Sequence, residues 1–159
     1  MIIRQAIESD AALIAEVWNL EIRDGVSTFN SIEKTLAEIE ALIQERGAAT
    51  QVAFEGDVFL GFVTYGAFRG GIGYRHSVEH TIYLTPAAKG QGVGRALMAR
   101  IYDVARQEGL HTMVAGIAGE NEAGIAFHKA IGFTETGRMP EIARKFDRWM
   151  TLVLMQREL

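Results

Sequence analysis

The stretch Leu84-Thr85-Pro86-Ala87-Ala88-Lys89-Gly90-Gln91-Gly92-Val93-Gly94-Arg95-Ala96-Leu97 decides how the rest of the chain reads. It begins where an alternating run, Val78 to Leu84, ends. That run predicts a strand with Val78, His80, Ile82 and Leu84 on one face and Glu79, Thr81 and Tyr83 on the other. A turn bearing Pro86 follows, then glycine at 90, 92 and 94, then an amphipathic helix from Gly92 to Glu108. Val93, Leu97, Ile101 and Val104 form its inner face, and Gly109 ends it. Glycine lacks a Cβ and tolerates positive φ, so a ligand can approach the backbone closely here. The first N–H groups of a helix have no internal partner, and that end is partly positive. The loop therefore suits a phosphate or pyrophosphate, with Lys89 and Arg95 adding charge. Glycines alone equally describe a tight strand-to-helix turn. Two specific phosphate motifs are excluded: no Gly-Lys-Ser/Thr follows four intervening residues, as a P-loop requires. The G-x-G-x-G spacing, deep in the chain, does not match the dinucleotide fingerprint.

Working upstream, Ile2 to Ile7 reads as a first strand, with Ser9 or Asp10 capping a helix striped by Leu13, Ile14, Val17, Trp18 and Ile22. Asp24 to Phe29 reads as a loop. Asn30 with Glu33 predicts a capping box opening a second helix through Ile32, Leu36, Ile39, Leu42 and Ile43. Val52–Phe54 and Val58–Tyr65 predict a hairpin around Glu55-Gly56-Asp57. The glycine-rich Arg69 to Gly73 is irregular. Downstream come a strand at Thr112–Ile117, a helix at Asn121–Ala130, and strands at Phe133–Thr136 and Trp149–Gln156. The order predicts a mixed α/β sheet of about seven strands layered with about four helices, one domain over residues 1–159.

Composition narrows the function. Apolar residues are 48% and charged residues 23% of 159, an ordinary globular balance that argues against disorder. With 16 Lys and Arg against 20 Asp and Glu, the net charge of −4 does not suit a general nucleic-acid binder. The absence of cysteine excludes disulfides, thiolate metal sites and a thiol nucleophile. No apolar run approaches the ~20 residues of a membrane span, and MIIRQAIESD has no signal-peptide pattern. A cytoplasmic protein without membrane attachment is expected. No metal site is expected from the four histidines.

Lys89-Gly90-Gln91-Gly92-Val93-Gly94 resembles the pyrophosphate loop of the GNAT acetyltransferases, Q/R-x-x-G-x-G/A, with Lys89 keeping a donor and a charge in the first place. Asn121 to Phe133 is similar to that family's N-x-x-A-x-x-x-Y-x-x-x-G-F segment, with Gly124 for Ala and His128 for Tyr. Tyr74 to Tyr83, Val114 to Ile117 and Lys145 to Trp149 resemble the branch of phosphinothricin and methionine sulfoximine N-acetyltransferases. The resemblance implies the GNAT fold, acetyl-CoA as cosubstrate and a homodimer. It implies acetyl transfer to the α-amine of a small amino acid or analogue, such as methionine sulfone, methionine sulfoximine or phosphinothricin. With neither Cys nor a Ser-centred motif as nucleophile, direct attack in a ternary complex is expected. Another amine (a polyamine, an aminoglycoside, a protein N-terminus) is the alternative within the class. A non-catalytic acyl-CoA sensor is the alternative outside it.

Carried over residue by residue, the resemblance makes Glu79 the base and puts His128 near the coenzyme sulfur. Otherwise Glu79 is a solvated edge-strand acid and His128 a core histidine bonded to the backbone. His80 reads as structural and His111 as surface. Ile82, Tyr83 and Leu84 would pair with the pantetheine arm, the Leu84 N–H serving as oxyanion donor. Residues 89 to 95 (Lys89, Gly90, Gln91, Gly92, Val93, Gly94, Arg95) would hold the pyrophosphate, and Asn121 would contact the coenzyme while capping its helix. An amino acid carboxylate calls for a cation. Arg75 is first choice for it, beside Ile72, Gly73 and Tyr74; Arg69 is second. Phe29 and Asn30 would line the side-chain pocket.

Overall fold

The computed structural model describes residues Met1–Leu159. Its main elements in chain order are β1 (Ile2–Gln5), α1 (Ala11–Asp24), α2 (Leu36–Arg46), β2 (Thr50–Glu55), β3 (Val58–Ala67), β4 (Ser77–Leu84), α3 (Val93–Gln107), β5 (Thr112–Ala118), α4 (Glu122–Ala130), β6 (Thr134–Lys145) and β7 (Arg148–Glu158). The strands form one mixed sheet ordered β1-β2-β3-β4-β5-β7-β6, in which only β4 and β5 run parallel. Helices cover both faces. On one, Ile14, Trp18 and Ile22 of α1 and Ile39 and Ile43 of α2 pack on Val52, Phe59 and Phe62. On the other, Leu97, Met98, Ile101 and Ala105 of α3 pack with Val63, Met113 and Val153. Burying a side chain of this size contributes roughly 1.5–3 kcal/mol, so these two layers grip the sheet between them. Strand β4 serves both layers through its alternation: Val78, Ile82 and Leu84 join the α3 side, and Tyr83 joins the α1–α2 side. No helix is long and apolar enough to cross a membrane.

Three boundaries differ from the sequence reading. Helix α2 starts at Leu36, not near Asn30, and its capping box is Thr35 with Glu38: Thr35 Oγ1 accepts the Glu38 N–H at 3.2 Å, and Glu38 Oε2 accepts the Thr35 N–H at 2.8 Å. The Asn30 side chain instead accepts the Ile32 N–H two residues on at 3.2 Å, a turn that competes with helix, and Ile32 is 80% exposed. Strand β1 ends at Gln5, because the Ile7 N–H goes to the Asp10 carboxylate at 2.8 Å, and the same carboxylate holds Arg4 at 2.7 Å. Strand β6 runs past Pro140 to Lys145, far beyond Thr136. It is an edge strand, and the irregular register between Met139 and Ala143 absorbs the proline's missing donor.

Candidate active site

Strands β4 and β5 pair only at Ser77–Glu79 with Thr112–Val114. Beyond Glu79, β4 stays with β3 as far as Leu84, while β5 stays with β7 as far as Ala118. The two strands therefore splay, and a cavity of about 780 Å³ opens between them. Its β4 wall is Glu79 to Leu84 and its β5 wall Ala115 to Ala118, with Lys89 and Gly90 at one end. The Thr85 N–H bonds back to the Leu60 carbonyl at 2.9 Å. Bonded and non-bonded pairs alternate along an antiparallel ladder, so the Leu84 and Ile82 amides turn away from β3, into the opening. An extended ligand carrying amides can add itself there as a strand would.

The glycines of the loop have separate reasons. Gly90 and Gly92 both hold φ of +76°, the left-handed region, and Gly92 is the N-cap of α3. Gly94 is helical; a Cβ on it would lie 3.2 Å from the Phe127 ring, so it permits α3 to pack on α4. Lys89 and Gly90 line the cavity. Gln91 is exposed and bonds the Ala87 carbonyl, Val93 is buried, and Arg95 faces a second recess with Tyr102, Arg106 and Arg157. Of the loop, Lys89 and Gly90 reach the cavity and the Arg95 side chain does not.

Two carboxylates line the cavity, each over a glycine. Glu79 Oε1 occupies space that a Cβ on Gly116 would invade at 2.9 Å, and burial raises the Glu79 pKa above the usual carboxyl value. Glu21, near the end of α1, has its Oε2 only 2.0 Å from where a Gly25 Cβ would sit. Tyr83 stands beside them with its phenol pKa raised, first by burial and then by the Glu21 charge.

Two histidines meet at the cavity wall, each 7% exposed. His80 Nε2 faces His128 Nε2 at 3.0 Å; His80 Nδ1 lies 3.1 Å from the Val114 carbonyl and His128 Nδ1 lies 2.7 Å from the Gly124 carbonyl. Burial, then the neighbouring His128 charge, pushes His80 down to about 3. Burial also lowers His128, against the pull of the Gly124 carbonyl. Both ring nitrogens of His128 are therefore engaged within the protein, and one bond must open before it can serve a ligand. His80, read from sequence as structural, is its direct partner.

Asn121 caps α4: its Oδ1 accepts the Gly124 N–H at 2.9 Å, and its Nδ2 reaches Ser27 Oγ at 3.4 Å. A Cβ on Gly124 would lie 2.6 Å from that Nδ2, which accounts for glycine at this place. Phe29 lines the cavity with Ser27 and Thr28. Asn30, Ile72, Gly73, Tyr74 and Arg75 do not. Ile72 is 79% exposed, the Arg75 Nε donates to His76 at 3.0 Å, and the guanidinium of Arg69 lies over the Tyr74 ring. The sequence reading assigned no role to Glu21, Thr28, Gly116 or Phe127. Glu21 carried one signal, its place directly before Ile22 on the buried stripe of α1. No cluster of three metal-ligating side chains is present.

Comparison with known proteins identifies the family. The acetyltransferase (GNAT) domain family matches residues 3–154. An L-methionine sulfoximine/L-methionine sulfone acetyltransferase of Salmonella typhimurium is 39% identical, over 100% of this chain and 95% of that protein. The solved structure of an acetyltransferase from Salmonella typhimurium with its cofactor acetyl-CoA superposes with a TM-score of 0.95 at 38% identity, covering 100% of this chain and 94% of that one. A ribosomal-protein-alanine N-acetyltransferase from Brucella melitensis also reaches 0.95, at 32% identity and full coverage of both chains. The chain belongs to the GNAT acetyltransferases and is an enzyme of that class.

Proposed function

We propose that this GNAT acetyltransferase moves acetyl from acetyl-CoA to the α-amine of a small amino acid or analogue, with methionine sulfone, methionine sulfoximine and phosphinothricin the first substrates to try. The observation that carries the reading is the splayed β4–β5 opening, which holds a pair of carboxylates between a glycine-bent helix end and the Ser27–Phe29 loop. Sulfoximine and sulfone chemistry is named for the Salmonella typhimurium relative, and acetyl-CoA for its solved neighbour.

The chemistry follows from the walls. The pantetheine arm pairs with the free edge at Ile82 to Leu84, and the pyrophosphate rests on the amides from Lys89 to Arg95. The amine enters beside Phe29, where Glu21 and Glu79 favour an ammonium over a neutral group. Glu79 takes its proton, directly or through water. The amine nitrogen attacks the thioester carbonyl carbon, the Leu84 N–H steadies the oxygen that gains charge, and the carbon–sulfur bond breaks. The thiolate leaves with the second proton shed by the attacking nitrogen, taken up at the His128 end of the cavity. Asn121 holds the coenzyme side while capping α4.

The neighbour from Brucella melitensis favours one second reading, acetylation of a protein N-terminal alanine. A coenzyme-release assay across free amino acids, diamines and alanine-terminated peptides separates the readings. Turnover confined to peptides would replace the amino acid assignment. We also propose a homodimer in the cytoplasm: Met139, Ile142, Phe146 and Trp149 are exposed apolar side chains at the β6–β7 edge. Light scattering in solution tests the oligomer.

A further inference from the structure

Lys145, the last residue of β6, is 3% exposed, and no carboxylate lies within ion-pair distance of it. Its ammonium donates instead to three main-chain carbonyls of one short segment: Gly25 at 2.6 Å, Thr28 at 2.8 Å and Glu21 at 3.3 Å. An ammonium has three donors and no acceptor, so this set satisfies it completely. The carbonyl of Glu21 belongs to the last turn of α1, where the helix end is partly negative and a cation is favoured. Burial pushes the Lys145 pKa down and the Glu21 charge opposes the shift. The segment so held carries side chains that wall the cavity, Ser27, Thr28 and, next in the chain, Phe29.

We infer that Lys145 is a positioning residue that fixes the shape of the amine pocket by clamping the Glu21–Thr28 backbone from a strand more than a hundred residues away. The inference deepens the proposed function, since it assigns this loop to the amine rather than to the coenzyme. The coenzyme side, Ile82 to Leu84 and Lys89 to Gly90, makes no contact with Lys145 among its hydrogen bonds. Two side-chain contacts, Asn121 with Ser27 at 3.4 Å and Tyr83 with Thr28, join this loop to the coenzyme side, so loss of the clamp acts first on the amine and only weakly on acetyl-CoA.

The test has two readouts. In Lys145→Met the KM for the amine should rise about tenfold or more, as expected for losing charge-assisted bonds, while the KM for acetyl-CoA stays within about twofold. Hydrogen exchange of the 25–29 amides should quicken in the same variant, whatever the substrate is. Lys145→Arg keeps the charge but offers a planar fork to a site shaped for a point, and should give an intermediate amine KM. An unchanged amine KM and unchanged exchange in either variant overturns the clamp, as does a uniform change in every constant together with the melting temperature. If Lys145→Met does not fold, Lys145→Arg alone decides. Failure of the wild-type enzyme to acetylate any amino acid would instead overturn the substrate reading, leaving the exchange result to judge the clamp.

Discussion

His80 and His128 face each other through their Nε2 atoms at 3.0 Å, and each ring points its Nδ1 at a main-chain carbonyl. A carbonyl accepts only, so full satisfaction of both carbonyls puts a proton on each Nδ1 and leaves two bare lone pairs opposed. Burial disfavours the extra proton that would join them. The surrounding groups do not resolve this conflict. Phe127 and Phe133 pack on the pair, and the other titratable groups on the cavity wall are Glu21, Glu79, Tyr83 and Lys89.

This conflict has a sign in pH. His80 is held at about 3 in the folded chain against 6.5 unfolded, so the unfolded chain binds more protons in between. The stability from this site is complete above 6.5 and drains away as pH falls toward 3. Thermal melting of the wild type should therefore decline over that interval, and His80→Asn should flatten the decline. Parallel curves for the two proteins would remove the histidine from the explanation.

Glu79→Gln should lower kcat about 10²-fold with acetyl-CoA affinity retained. Because burial raises the carboxyl pKa, the acid limb of the wild-type kcat/KM profile should sit above the ordinary carboxyl range. The limb should vanish in the variant. Retention of both rate and limb would assign the proton to another group.

Gly116→Ala tests the seat of that carboxylate. The new Cβ would stand 2.9 Å from Glu79 Oε1, so the acid must shift. A fall in kcat of about tenfold is expected from such misplacement, with acetyl-CoA binding by calorimetry unaltered. Equal activity would mean that the acid relocates without consequence.

Gly92→Ala acts through conformation alone, because a Cβ there meets nothing within 4 Å while φ is +76°. The strain is about 1–2 kcal/mol. It should appear as weaker acetyl-CoA binding together with a lower melting temperature. Full affinity would detach the helix end from the coenzyme.

Periodicity carried most of this fold. The stripe of α1, the alternation of β4 and the glycine stop of α3 all depend on local spacing that packing then obeyed. Asn30 misled because Asn30 and Glu33 satisfy the capping-box spacing as well as Thr35 and Glu38 do. What chooses between them is Ile32, which is 80% exposed and gives no core contact to extend the helix back to Asn30. The sequence reading ended the β6 strand at Thr136 because a bulge on an edge strand leaves no periodic trace. Within the site, the loop and β4 were legible as motifs. Glu21 was not, since it enters the cavity only after α1 has been laid across the sheet and Lys145 has drawn in the chain that follows. Arg75 was favoured for its charge, but charge does not fix direction, and it points to His76.

The brief pairing of β4 with β5 has a mechanical consequence. Three residue pairs stitch two ribbons, β1–β4 and β5–β7, and past that seam neither ribbon's inner border is satisfied by its own chain. With acetyl-CoA lying along that border, as proposed above, saturating coenzyme should raise the melting temperature by tying the two ribbons into one cooperative unit.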